Sequence, residues 1–387
     1  MPAKIANRLQ HTDAFYAMEI FKRTLELQAA GKDIISLGIG EPDFTAAPAV
    51  VSALNTAASQ GQGRYGPAVG IRELRQAIAR FYAEQFAAPV DPDRVIVTNG
   101  ASGALLLACM TLINPGQNVL MPDPYYPANS NFIKAAGGVT RLMATTAENQ
   151  FQPSAADIES HWTQDTAGVL LASPGNPTGT SIEESALKAV IESVQQRDGF
   201  MMMDEIYLGL SYKDERRSAL TIDDDLIILN SFSKYFHMTG WRLGWMIVPP
   251  HLIAPIEKLA SSLIICPPTL AQYGALACFE PQTLTLLEHR REAFRTRRDY
   301  LVNALESIGF SIPATPDGAF YVYADISRFS NDSTALAKEV LEHAGVAIVP
   351  GIDFGPAHAA SKVRMAYTVG LDRLEQAVER LDTFLNS

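Results

Sequence analysis

The chain has little cysteine: Cys109, Cys266 and Cys278 stand alone among 387 residues. Their number is odd and no CxxC spacing occurs, which argues against a disulfide scaffold or a zinc site and points to a reducing, cytoplasmic setting. Cys109 lies in the apolar run after Leu105-Leu106-Leu107-Ala108 and reads as a small core residue. Positive charge is also short, with 31 Lys and Arg against 42 Asp and Glu, a formal net charge of −11. A nucleic-acid partner is therefore not expected, because phosphate contacts need a basic face. A small anionic ligand stays open, since a local site can be positive on an acidic protein. No apolar run is unbroken enough to span a bilayer. Residues 259–279 contain Pro267-Pro268 and Gln272, and residues 98–122 contain Asn114-Pro115-Gly116. The N-terminus MPAKIANRLQ lacks the apolar stretch of a signal peptide. Repeats, low-complexity segments and Gly/Ser linkers are absent too. What is present is ordinary globular composition, 47% apolar and 19% charged. The length suggests roughly two or three domains.

Short apolar runs alternate with helix-like patterns through the middle of the chain. Val95-Ile96-Val97, Val119-Leu120-Met121, Val169-Leu170-Leu171, Phe200-Met201-Met202-Met203 and Ile227-Ile228-Leu229 read as strands. Residues 101–112 and 183–196 read as helices between them. Continuous apolar strands alternating with helices predict a mostly parallel sheet covered on both faces. The last third differs. Residues 286–308 form a long charged amphipathic helix pattern, followed by a strand at Phe320-Tyr321-Val322-Tyr323, a helix over 333–344, a strand at 363–367 and a closing helix over 371–385. The fold class expected is α/β: a large domain with a mostly parallel sheet sandwiched by helices, plus a smaller α+β domain. The expected boundaries are 45–280 for the large domain and 1–44 with 281–387 for the small one. A helix over 14–30 is expected to join the small domain.

Each central strand is followed at once by polar residues. The groups are Thr98-Asn99-Gly100-Ala101-Ser102, Pro122-Asp123-Pro124-Tyr125-Tyr126, Ser173-Pro174-Gly175-Asn176-Pro177, Asp204-Glu205-Ile206-Tyr207, and Ser231-Phe232-Ser233-Lys234 with Arg242 eight residues beyond. In a parallel sheet these strand ends share one edge, where α/β proteins bind ligands. Gly100-Ala101-Ser102 opening a helix offers backbone N–H groups and the positive end of a dipole, suited to a phosphate. Ser231, Ser233 and Arg242 can add hydroxyls and a guanidinium fork. Asp204 at an apolar strand end calls for a cationic partner. Tyr126 offers a face for stacking. Asn176 and Tyr207 are neutral hydrogen-bonding groups, and Lys234 is a candidate nucleophile.

Taken in order, these motifs resemble the class I/II aminotransferases, the fold-type I pyridoxal-phosphate enzymes. The resemblance also takes in Gly38-Ile39-Gly40-Glu41-Pro42-Asp43-Phe44, Tyr65-Gly66-Pro67, Gly70-Ile71-Arg72-Glu73-Leu74-Arg75, Gly318-Ala319-Phe320-Tyr321 and Val363-Arg364. It implies a transamination between an L-amino acid and a 2-oxo acid, with pyridoxal 5'-phosphate held by Lys234 as a Schiff base and the free lysine then shuttling a proton. It further implies that Asp204 pairs with the pyridinium nitrogen and that Tyr207 and Asn176 donate to the ring hydroxyl oxygen. Tyr126 would stack on the ring, and Gly100, Ala101, Ser102, Ser231, Ser233 and Arg242 would hold the phosphate. Tyr65 would reach the neighbouring site of a homodimer. Arg364 would grip the substrate carboxylate with help from Gly40 and Asn176. Arg242 and cationic cofactor groups are expected to lower the Lys234 pKa.

Other readings stay beside these. Lys234 could be a solvated lysine, Asp204 a helix cap and Arg364 one half of a structural ion pair. Tyr125 could stack in place of Tyr126, and Ser233 could only pack beside the lysine. His237 reads as structural and Glu205 as orienting its loop. Asn176-Pro177 is a candidate cis peptide. Some bacterial aspartate aminotransferases of this type carry a lysine at the position of Ser102, so its absence weakens an acidic-substrate reading. A β-lyase on the same fold is the alternative activity. A non-enzymatic regulator is the alternative class, although it would need a basic segment where residues 14–30 read as one amphipathic helix.

Overall fold

The structure is a computed structural model that describes residues 4–6 and 16–386. The first two residues of the helix expected over 14–30 lie outside the described residues; the described part runs Tyr16–Ala29. The two-residue strand β1 (Ile35–Ser36) follows it. The large sheet then collects β2 (Val95–Thr98), β3 (Asn118–Asp123), β4 (Val139–Ala144), β5 (Thr166–Ala172), β6 (Phe200–Asp204), β7 (Ile227–Ser231) and β8 (Gly244–Ile247) in the order β2-β8-β7-β6-β5-β3-β4. β8 is antiparallel to both β2 and β7, and the remaining pairs are parallel, so the five strands expected from sequence all point the same way.

Successive side chains of a strand face opposite ways, which sorts the apolar runs between two layers. Ile96, Val119, Met121, Leu170, Met202, Ile227 and Leu229 pack against helices Gly100–Leu112 and Pro250–Leu263. Val95, Val97, Leu120, Val169, Leu171, Met201, Met203 and Ile228 face the other layer, which includes Arg72–Phe86 and Glu184–Gln195. Burial on both faces is why these strands are apolar at every position.

The smaller α+β part is built on an antiparallel sheet. Its strands β9 (Tyr321–Asp325), β11 (Val349–Pro350) and β12 (Lys362–Ala366) run in the order β11-β12-β9, while β10 (Val346–Ala347) pairs parallel with β1. That pairing and the Arg23–Glu342 ion pair attach the N-terminal segment to this part. The helix Pro281–Ser307 begins earlier than the charged pattern suggested and runs 27 residues, about 40 Å at 1.5 Å per residue. Its Arg297 makes a forked pair with Asp43 at 2.8 and 2.9 Å. The helix expected over 333–344 is α-helical for Ser333–Glu339 and then widens to a π-turn over Val340–Ala344. Among the described residues, no helix is long and apolar enough to cross a membrane.

Candidate active site

The carboxyl ends of β2, β3, β5, β6 and β7 surround a cavity of about 490 Å³. At one end, Gly100 opens its helix at φ +71°, and a Cβ there would sit 2.8 Å from Arg242 Nη2. Glycine thus lets the guanidinium lie against the helix start. Arg242 itself takes a left-handed φ of 54°, and its Nη1 donates to the Thr239 carbonyl at 2.9 Å. Ser231 Oγ lies 3.0 Å from Ser233 Oγ and accepts from the Ser233 N–H at 3.0 Å. Two hydroxyls, a guanidinium and the positive end of a 13-residue helix make this corner an anion site.

Asp204 closes β6 and is buried. Its Oδ1 accepts a hydrogen bond from Ile206 N at 3.0 Å. Burial pushes its carboxyl up to about 6, against the pull of that N–H and of the Lys234 ammonium. Tyr207 Oη lies 2.8 Å from Tyr321 Oη. Lys234, half-buried on the turn after β7, donates from Nζ to the Gly40 carbonyl at 2.5 Å. Its ammonium is pushed down to about 8, first by burial, next by Arg364, and less by Arg242. The sequence reading named Arg242 first; burial and the more distant-in-sequence Arg364 outrank it.

Arg364 comes from β12. Nη1 donates to Asn176 Oδ1 at 3.0 Å and Nη2 to the Gly38 carbonyl at 2.6 Å. The guanidinium lies 4.5 Å from the Tyr321 ring centre and 4.9 Å from that of Phe354. Among the described residues its Nε is buried without a hydrogen-bond partner. Among the described residues its hydrogen bonds go to an amide and a carbonyl and to no carboxylate, unlike a structural ion pair. The Asn176-Pro177 peptide is cis.

The order of motifs is matched by whole-chain similarity. The family model for aminotransferase class I and II covers residues 32–381. The chain belongs to the class I and II aminotransferases. This aminotransferase is 36% identical over 378 residues to a valine–pyruvate aminotransferase of Mycobacterium tuberculosis, covering 96% of each chain. It is 33% identical to the aspartate/prephenate aminotransferase of Thermus thermophilus, covering 97% of each. Among solved structures, an aminotransferase from Mycobacterium tuberculosis superposes with a TM-score of 0.95 at 35% identity over 100% of both chains. The aspartate aminotransferase of Thermus thermophilus with maleate gives a TM-score of 0.93 at 33% identity over 99% and 100%. The enzyme is dependent on pyridoxal 5'-phosphate and passes the amino group of an amino acid to a 2-oxo acid in two half-reactions.

Most residues singled out in the sequence of this aminotransferase line the cavity: Gly40, Ala101, Ser102, Tyr126, Asn176, Asp204, Tyr207, Ser231, Ser233, Lys234, Arg242 and Arg364. Tyr125 instead packs against the core layer beneath the sheet. Tyr65 is 83% exposed and stays out of its own chain's cavity. His237 packs its ring on Phe44 and Phe294, with centroids 5.4 and 6.1 Å apart, and burial holds it down to about 3. Glu205 accepts from Ser218 Oγ at 2.9 Å and Ala219 N at 2.7 Å, tying the loop after β6 to the next one. Sequence reasoning missed Tyr321, although Gly318-Ala319-Phe320-Tyr321 had been noticed. It also missed the wall formed by Ala17, Met18, Phe21, Ile39, Glu41, Asp353 and Phe354.

Proposed function

We propose that this cavity is the transamination site and that Lys234 is its catalytic residue. One observation carries the reading: an amine lowered toward neutrality stands on the wall that also holds a buried carboxylate, an anion corner and an arginine with an open N–H. The donor set fits the cofactor. Asp204 is a buried carboxylate bonded by a backbone N–H, and a protonated ring nitrogen would supply the cation it lacks. Gly100, Ala101, Ser102, Ser231, Ser233 and Arg242 would hold the phosphate. Tyr207 and Asn176 would donate to the ring hydroxyl oxygen, and Tyr126 would cover one ring face. When bound, the cofactor supplies an electron sink for negative charge at the substrate Cα.

The chain's own residues do the rest. Arg364 is fixed before substrate arrives, by two acceptors and two rings, and its Nε–H, unspent among the described residues, would be available to a substrate carboxylate. Asn176 spends its carbonyl oxygen on Arg364, which leaves its amide hydrogens to donate. The Gly40 backbone assists at the same carboxylate and orients Lys234 Nζ. An amine near pH 8 is largely protonated at pH 7 yet releases its proton readily, as a group that takes and returns the Cα proton must.

The working unit in this reading is a cytoplasmic homodimer, with Tyr65 reaching the neighbouring phosphate corner. Its exposure and its position outside its own cavity support that role. The free cysteines support a reducing compartment. The two lobes divide at 45–280 against 1–44 with 281–387. Absorbance of the bound cofactor tests the activity. Adding an L-amino acid should bleach the visible band, and a 2-oxo acid should restore it. A band that no amino acid alters, or release of ammonia and pyruvate, would remove the reading.

A further inference from the structure

The phosphate corner and the carboxylate that would face the ring nitrogen stand on neighbouring strands, and a buried chain of side chains joins them from outside the cavity. β6 and β7 run parallel as far as the Asp204–Leu229 pair, after which Glu205 N donates to the Leu229 carbonyl at 2.8 Å. Two residues further along β7, the Ser231 N–H points to the side that β6 has left. Asn230 Oδ1 accepts it instead, at 2.7 Å.

Alternation along β7 sorts the side chains. Leu229 packs on the layer of helix Gly100–Leu112, and Ser231 follows it on that face. Ile228 and Asn230 turn the other way, toward helix Arg72–Phe86. There Asn230 Nδ2 donates to Tyr82 Oη at 3.0 Å, and Tyr82 Oη donates to Glu205 Oε2 at 3.3 Å. Glu205 directly follows Asp204, so the chain runs from one strand end to the other. Tyr82, Glu205 and Asn230 are 0%, 2% and 5% exposed, so this brace is complete within one subunit. Gly244, opposite Ser231 on β8, brings the phosphate helix against the same strand end: a Cβ there would sit 2.6 Å from the Gly100 carbonyl carbon and 2.7 Å from Ala101 N.

Resting on the assignment of this cavity as the transamination site, we infer that Asn230 is a positioning residue for the cofactor phosphate: braced by Tyr82 and Glu205, it holds the Ser231 N–H and so sets the Ser231 hydroxyl at a fixed separation from Asp204. The cofactor is gripped at both ends, its phosphate beside Ser231 and its ring nitrogen beside Asp204, so a slip of one strand end against the other loosens the grip. Misplacing one hydrogen bond to a charged group weakens binding by about 10-fold.

The test is equilibrium dialysis of the full-length holoenzyme, which gives the cofactor dissociation constant, with phosphorus NMR of the bound phosphate beside it. Asn230→Leu, close in size and without polar side-chain atoms, should weaken cofactor binding by about 10-fold and shift the phosphate resonance. Tyr82→Phe removes only the hydroxyl and should shift the resonance the same way, with binding weakened by about 3-fold. The double variant should bind no more weakly than Asn230→Leu alone, because both changes act through one chain. A residue that only fills the core would lower the melting temperature and leave the constant and the resonance of the folded protein in place. Wild-type values of both in either folded variant, or losses that simply add, would overturn the inference; where Asn230→Leu does not fold, Tyr82→Phe decides alone. If Ser231→Ala weakens binding while these variants do not, the phosphate corner stands and only this inference fails. If Ser231→Ala also leaves the constant and the resonance unchanged, the phosphate corner itself fails and this inference goes with it.

Discussion

Replacing Lys234 with methionine is expected to stabilise the cofactor-free protein. Burial, aided by Arg364, moves the ammonium from an ordinary 10.5 to about 8. Each pKa unit corresponds to about 1.4 kcal/mol, so holding this charge in the folded state costs about 3–4 kcal/mol. The sign follows from linkage. A lysine whose folded pKa lies below its unfolded one weakens folding fully below about pH 8, and the penalty fades as pH rises toward 10.5. Methionine keeps the length of the chain and removes the charge. Urea unfolding of the wild type and Lys234→Met, both stripped of cofactor, reads the difference by circular dichroism. The variant should gain about 3–4 kcal/mol at pH 7, and the gain should shrink toward zero near pH 10.5. A variant no more stable than the wild type at pH 7, or a gain unchanged at high pH, would refute the claim that this site strains an ammonium toward the free amine.

Arg364→Lys keeps a charge but loses the fork and the Nε–H, so kcat/KM should fall by about 100-fold while the bound-cofactor spectrum stays unchanged. In Gly40→Ala the new Cβ would lie 2.3 Å from Tyr321 Oη and displace it from Tyr207. Thermal unfolding should show a loss of about 1–3 kcal/mol, and steady-state assays a lower kcat. Glu205 is raised by burial from 4.5 to about 7, so its contribution to stability is present below 4.5 and lost as pH rises through about 7. Glu205→Gln should therefore gain about 3–4 kcal/mol relative to wild type between pH 4.5 and 8, read from paired melting curves.

The sequence made the centre of the fold legible because strands buried on both faces leave unbroken apolar runs. β4 escaped notice because it sits at the sheet edge, half-exposed, and mixes Thr140 and Arg141 into its run. β8 escaped because Gly244 starts it directly after the polar loop, where the pattern still reads as loop. Lys234, Asp204 and Arg242 were readable because strand ends bring nearby polar residues to one edge. The apolar wall was not. Asp353 holds Tyr16 across 337 residues of sequence, and nothing local in Ala17, Met18 or Phe21 marks them as cavity lining. Separation in sequence also hid the influence of Arg364 on Lys234, which the folded packing of β12 against the Gly38–Gly40 loop creates.

The most direct test of the central claim is to reduce the holoenzyme with borohydride, digest it and map the pyridoxyl group by mass spectrometry. The account predicts a single label on the peptide that contains Lys234, and none when an amino acid is added before the reductant. A label on another lysine, or no covalent label on an active enzyme, would contradict it.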